Sequence, residues 1–286
     1  MPDPLGQLEM EMEDEERAKT SKKEPKTKKV PVVEVFGPTI QGEGVMIGVR
    51  TSFIRFGLCD YKCVMCDSMH AVDPIRVKAN ATWLLPDEIL ARVEVIHRLP
   101  SAGGATADWV TYSGGNPCIH DLTVLTKYIQ AWGLKIAVET QGTFLPDWLH
   151  MCDVVTVSPK APGIGEQYEH DKFLAFVDAF LHHPGFNVKV VVFSMRDIEW
   201  SRTINSVMKD HGLGDKMYLS LGNPFPPGKD HVPDNPKEQV HPSMLKLALL
   251  EEYRQLTEDL LQVPDMRNVK FLPQLHVLTW GNKQGV

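Results

Sequence analysis

The chain has no apolar run long enough to cross a bilayer, no excess of basic residues, and only five cysteines in 286 residues. The first absence excludes a membrane-spanning helix. The N-terminus also lacks the apolar core of a secretory signal, so nothing there marks the chain for export. A formal charge of −7 gives no footing for broad nucleic-acid binding. An odd cysteine count without an export signal does not read as a disulfide framework. It predicts a reducing, cytoplasmic setting in which the thiols are ligands or buried side chains. Residues 1–30 carry almost no large apolar side chain. Their run "EMEDEERAKTSKKEPKTKK" is acidic, then basic, and buries too little surface to order itself. A disordered charged tail over 1–30 is therefore expected, ahead of one catalytic domain over 31–286.

What is present supports a sizeable core. Hydrophobic residues make up 43% of the chain. "VPVVEVFG", "TSFIRFGL", "DWVTYSGG", "KIAVET", "DVVTVSPK", "NVKVVVFS" and "MYLSLGN" read as strands. Between them lie helical patterns. In "LLPDEILARVEVIHRL", Pro86 suits the first turn, Asp87 and Glu88 suit the positive end of the dipole, and Ile89, Leu90, Val93 and Ile96 share a face. "LPDWLHM" reads as a short helix, and "SMLKLALLEEYRQLTEDLLQ" as the last long one. Alternating strands and helices predict an α/β fold with a mainly parallel sheet. A doubly wound sheet and a full or partial barrel both fit this order.

The polar and glycine clusters fall where such folds build sites, at the carboxyl ends of strands. These are Gly114 and Gly115, then Glu139 to Gln141, then Ser158 to Lys160, then Gly222 and Asn223. The loop "CDYKCVMCDS" follows another strand end and holds Cys59, Cys63 and Cys66. Three thiols have two readings. With His70 as a fourth ligand they close a structural zinc site. On a four-iron, four-sulfur cluster they leave one iron free for an external chelator.

The C-x3-C-x2-C spacing, joined to the glycine pair of "YSGGNP", resembles the radical S-adenosylmethionine (SAM) superfamily. That resemblance implies SAM on the open iron and reductive cleavage to a 5′-deoxyadenosyl radical. It makes Met65, Gly114, Gly115, Glu139, Ser158, Lys160 and Asn223 candidate SAM contacts. Two positions depart from the superfamily pattern: Asn116 replaces the usual glutamate, and Met65 replaces an aromatic residue. Upstream, "EVFGPTIQGEGVMIGVRTSFIRFGLCDYKCVMCDS" is similar to the start of the 7-carboxy-7-deazaguanine synthase (QueE) family. "LPQLHVLTWGN" is similar to that family's C-terminal region.

Membership in that family implies a partial, modified TIM-type barrel of the radical SAM kind and a homodimer. It also implies ring contraction of 6-carboxy-5,6,7,8-tetrahydropterin to 7-carboxy-7-deazaguanine with loss of ammonia. Magnesium and an electron donor such as a flavodoxin assist. The candidate substrate contacts are Ile40, Gln41, Gly42, Glu43, Arg55, Ser113, Gln274 and His276, with His276 also a proton carrier and Ser68 the magnesium ligand. In "TSFIRFGL", alternation puts Ile54 and Phe56 on one face and Phe53 and Arg55 on the other. A buried guanidinium needs an anion, either an internal carboxylate or, as the resemblance implies, that of the substrate. Gln274 and His276 are two apart, so an extended segment points both to one side. Cys118 and Cys152 match no cluster position and read as buried thiols. Two other functions remain open at this point: a glycyl-radical activase acting on a partner protein, and a non-catalytic metal-stabilised binding protein.

Overall fold

A computed structural model describes residues 27–97, 107–165, 168–224 and 242–286. The expected charged tail lies outside these residues as far as position 26. Val30, placed at its end, already belongs to the first strand and is buried.

The strand order follows from how each segment is buried. β1 (Val30–Ile40) and β2 (Arg50–Phe56) pair antiparallel through the "QGEG" turn. β3 (Thr82–Leu84) lies on the other side of β1. From β2 onward the neighbours are parallel: β4 (Trp109–Gly114), β5 (Lys135–Thr140), β6 (Val154–Val157), β7 (Phe186–Val192), β8 (Met217–Leu221) and β9 (Lys270–Leu272). These central strands are nearly continuous Val, Ile and Leu, as burial on both faces requires. They form one nine-stranded sheet in the order β3-β1-β2-β4-β5-β6-β7-β8-β9. Its ends, β3 and β9, do not meet, so the described residues make a partial barrel.

The helices are α1 (Met69–Val72), α2 (Pro74–Asn80), α3 (Pro86–His97), α4 (Thr123–Ala131), α5 (His170–Ala179), α6 (Met195–Asp210), α7 (Pro242–Leu260) and α8 (Leu275–Trp280). Pro86 opens α3 as expected, and Glu88 accepts the Leu85 N–H at 2.7 Å. Ile89 and Val93 are fully buried on its inner face. Asp73 caps α2 by accepting from Ile75 and Arg76 N–H.

The sheet is mainly parallel as expected, with the first two strands an antiparallel hairpin. "LPDWLHM" holds a short helix of the 3-10 kind over Asp147–Met151. One reading changes: the segment holding Gln274 and His276 is not extended, because α8 begins at Leu275. The expected alternation in β2 does hold. Ile54 and Phe56 lie in the main hydrophobic core, while Phe53 and Arg55 face the central cavity. Cys118 and Cys152 are also in that core, and burial pushes the Cys118 thiol up to about 12.

The most crowded junction joins the ends of β2 and β4. Gly115 N–H donates to Phe56 O at 3.0 Å, and Asn116 N–H donates to Leu58 O at 2.9 Å. A Cβ on Gly114 would lie 2.1 Å from Phe56 O, and one on Gly115 would lie 1.9 Å from Leu58 O. Gly114 also has φ +137°, open to glycine alone without strain. Leu58 itself sits at φ 75°, rare for a leucine, and is held there by its own N–H bond to Ala71 O. Gly115→Ala forces two backbones apart. It is expected to destabilise the fold by at least about 1–3 kcal/mol and to lower the cysteine loop's retention of iron. Denaturant unfolding and iron content check this, and wild-type values for both would contradict it.

Candidate active site

One cavity of about 240 Å³ opens at the carboxyl ends of the parallel strands. Ile40, Gln41, Gly42, Glu43, Arg55, Cys59, Cys63, Met65, Cys66 and Ser68 line it, as do Ser113, Gly114, Gly115, Glu139, Ser158, Lys160, Asn223 and His276. Segments more than two hundred residues apart thus share one wall. Gln274 is the exception among the residues named from sequence. It is buried behind the wall, where its Nε2 donates to Glu43 Oε1 at 2.7 Å.

The three cysteines come from the loop after β2. Cys63 is buried, and Cys59 and Cys66 are half-buried. Burial pushes Cys66 up to about 12, with the nearby Asp67 adding to it, and burial likewise raises Cys59. Neutral thiols are what an apolar loop favours; a metal cluster supplies the positive charge that turns them into thiolates. His70 does not join them. Its Nε2 lies 3.6 Å from Glu34 and its Nδ1 lies 3.4 Å from Gln284 Nε2. The three-thiol donor set therefore fits a cluster with one open iron. The loop is held from two further directions. Val64 N–H donates to Ile164 O, and Gly163 N–H in the same turn donates to the buried Asp197.

Asn116 explains itself here. It is fully buried, and its Nδ2 donates to Asp60 Oδ1 at 2.9 Å and to Thr143 Oγ1 at 3.1 Å. Its Oδ1 accepts from Cys118 N–H and Thr140 Oγ1. Asp60 also accepts from Gln141 Nε2 at 2.6 Å, and that amide reaches Cys59 Sγ at 3.4 Å. The glutamate usual at this position would set a second carboxylate against Asp60. The glycine pair likewise has a first duty in the protein itself: the Cβ atoms it lacks would strike the β2 backbone.

Arg55 meets an internal anion. Its Nε donates to Glu34 Oε1 at 2.5 Å, its Nη1 donates to Ser68 Oγ at 3.2 Å, and the guanidinium lies over Phe36. These bonds use two of five N–H groups. Burial works to raise the Glu34 carboxyl, but His70 and Arg55 outweigh it and hold the carboxyl below its usual range. Ser68 Oγ also donates to Asp67 Oδ1 at 2.8 Å. Among the described residues no three His, Cys, Asp or Glu side chains converge as a single-ion site requires. Ser68 and Asp67 thus offer part of a magnesium shell, the rest falling to water and substrate oxygens. On the opposite wall Lys160 donates to Ser158 Oγ at 3.2 Å, and Asn223 donates to Asn282 Oδ1 at 2.7 Å.

The "QGEG" turn is the most heavily tied part of the wall. Glu43 accepts from Lys189 Nζ at 2.5 Å, from Gln274, and from Ser220 Oγ at 3.4 Å. Lys189 also reaches Glu139 Oε1 at 3.3 Å, and Gln41 Nε2 donates to the same oxygen at 3.2 Å. Burial alone would raise the Glu43 carboxyl, yet Lys189, His276 and the hydrogen bonds hold it well below the usual carboxylate range. Gly42 is required because any Cβ there would fall 2.1 Å from His276 Nδ1. Sequence reasoning missed Lys189, Glu34, Asp60 and the segment 281–286 that also lines the cavity. A lysine inside the apolar run "NVKVVVFS" was a usable signal for the first. The short polar end "GNKQGV" offered none.

The chain is 36% identical over 261 residues to the 7-carboxy-7-deazaguanine synthase of Bacillus cereus, covering 90% of this chain and 99% of that one. The protein of the same name from Bacillus subtilis is 34% identical over 263 residues, covering 91% and 99%. Among solved structures, QueE from Escherichia coli matches with a TM-score of 0.58 at 23% identity, over 87% of this chain and 95% of that one. That likeness shows a shared fold. No family model matches the chain.

Asn116→Glu is expected to cost at least about 2 kcal/mol, because it buries a carboxylate against Asp60. Adding Asp60→Asn should recover most of the loss. Denaturation of the single and double variants reads both effects, and an Asn116→Glu protein as stable as wild type would contradict the pairing.

Proposed function

The chain belongs to the 7-carboxy-7-deazaguanine synthase family, and from that premise we propose which of its residues carry the family's reaction. It is a radical SAM enzyme, a carbon–nitrogen lyase of 7-deazapurine (queuosine-type) biosynthesis. It converts 6-carboxy-5,6,7,8-tetrahydropterin to 7-carboxy-7-deazaguanine by ring contraction with loss of ammonia. Membership sets aside the glycyl-radical activase and the zinc-stabilised binding protein. The observation that carries the residue roles is one cavity lined both by the three thiols and by the donor and acceptor groups of Arg55 and the "QGEG" turn.

Cys59, Cys63 and Cys66 would hold the cluster. Gly114, Gly115, Met65, Ser158, Lys160 and Asn223 surround the space where SAM would lie beside it. When bound, cluster and SAM supply the radical that removes a hydrogen atom from substrate. The chain supplies placement and dryness. Arg55 grips the substrate carboxylate through the N–H groups that Glu34 and Ser68 leave over. Magnesium at Ser68 and Asp67 would neutralise the same carboxylate and substrate oxygens. Gln41 donates and accepts at the pyrimidine edge, while Glu43 accepts from amino and ring N–H groups. Backbone groups of Ile40 and Gly42, the Ser113 hydroxyl, and Gln274 acting through Glu43 complete the wall. Glu139, a candidate SAM contact, also bonds Gln41 and Lys189, which links it to the substrate wall. His276 packs against Gly42 of the turn, and in this reading it carries a proton during loss of ammonia.

The reading brings with it an external one-electron donor such as a flavodoxin, and a homodimer. A reducing cytoplasm keeps the core thiols Cys118 and Cys152 free. The catalytic unit takes in Val30, the first residue of β1, and runs to residue 286.

Anaerobic reconstitution with iron and sulfide, then incubation with the pterin, SAM, magnesium and a strong reductant, should yield the deazapurine. Cys63→Ala should yield none, and full turnover by that variant would refute the cluster assignment. Arg55→Ala is expected to raise the pterin KM by about ten-fold or more while SAM binding changes little. Equal losses for both ligands would remove its carboxylate role.

A further inference from the structure

Lys189 has no part in the roles above, yet it is the most enclosed cation of the cavity. It sits in β7 with its side chain 4% exposed, and it is bonded to two carboxylates from distant parts of the chain. Glu139 stands on β5, with β6 between it and β7. Glu43 stands in the turn between β1 and β2. The lysine stem passes under that turn, where a Cβ on Gly44 would lie 3.5 Å from its Cδ. One ammonium thus ties the "QGEG" turn to the inner wall of the barrel. Two acidic groups and one basic group leave the cluster one negative charge in excess. Glu43 and Glu139 both line the cavity, so acceptor capacity that the single ammonium does not use faces the space a ligand would fill. Nor is the network saturated: Gln274 Oε1, buried beside Glu43, has no hydrogen-bond partner.

We infer that Lys189 is a positioning residue for the substrate, holding Glu43 and Glu139 as two acceptors for the amino and ring N–H edge of the pterin. The inference rests on the function proposed above and deepens it. Without the ammonium, two carboxylates bridged by a single charge repel each other. Burial then acts on Glu43 with less opposition, and its carboxyl climbs from the low value that Lys189 helps to set. A protonated Glu43 donates where the substrate also donates, so the contact is lost. The titratable groups that surround Glu43 are Lys189 from β7, Glu139 from β5 and His276 from α8. Gln41, Gln274 and Ser220 complete its neighbours and do not titrate.

The test compares reconstituted wild type with Lys189→Met. Initial rates are measured from about pH 5.5 to 9, with pterin and SAM binding measured separately. The variant should raise the pterin KM by about ten-fold or more, with kcat less affected and SAM binding unchanged. That rise should grow as the pH falls, because Glu43 then takes up a proton it does not take up in wild type. Lys189→Arg, which keeps the charge, should restore the wild-type profile. Should Lys189→Met fail to fold, Lys189→Gln, which keeps a hydrogen-bonding amide without the charge, should show the same acid-side rise. A competent wild type whose variants keep its KM, or lose affinity equally at every pH, overturns this inference alone. A wild type that makes no deazapurine overturns the proposed function and this inference with it.

Discussion

The site depends on a contact between two backbones. The ends of β2 and β4 approach so closely at Gly114 and Gly115 that no side-chain atom fits between them. That contact fixes Leu58 in an uncommon conformation and sets where the cysteine loop leaves the sheet. Three thiols then face the cavity because the loop has little freedom to turn elsewhere. Strain at one leucine is tolerated because two backbone hydrogen bonds over-determine it. The glycines are needed for the loop's support before any ligand arrives.

From that anchor the cavity divides by chemistry. Near the thiols the amides of Asn116 and Gln141 hold Asp60, and the charges of Asp60, Asp67 and Lys160 bear on Cys59 and Cys66. Across the cavity the charges are paired but unequal. Arg55 is balanced by Glu34, while Lys189 alone serves both Glu43 and Glu139. A reductive reaction at the first side needs a dry, weakly polar setting. Recognition of a heterocycle at the second needs fixed donors and acceptors. The fold meets both demands by drawing the second set from β1, β5, β7, β8 and α8 and burying it, so that few of its members move independently.

Much of this was legible in the sequence. The strand and helix order followed from apolar periodicity, and β2 showed its two faces in the alternation around Arg55. The cysteine spacing and the glycine pair marked the loop and the rim. Other features were not legible because they depend on distance in space. Glu34 lies twenty-one positions from Arg55 and becomes its partner only through the hairpin register. Lys189 lies 146 positions from Glu43. Gln274 was expected on the cavity wall by extended alternation, but α8 starts one residue later and turns it behind Glu43. A local pattern cannot show that change, since helix and strand periods are nearly indistinguishable over so few residues.

The most direct measurement concerns the open iron. Anaerobically reconstituted protein, reduced and examined by electron paramagnetic resonance with and without SAM, reports on that metal corner. A four-iron cluster whose signal changes when SAM binds is the predicted result, because an iron without a protein ligand accepts the new donor. A preparation that holds zinc in place of iron, or a cluster signal indifferent to SAM, would contradict it.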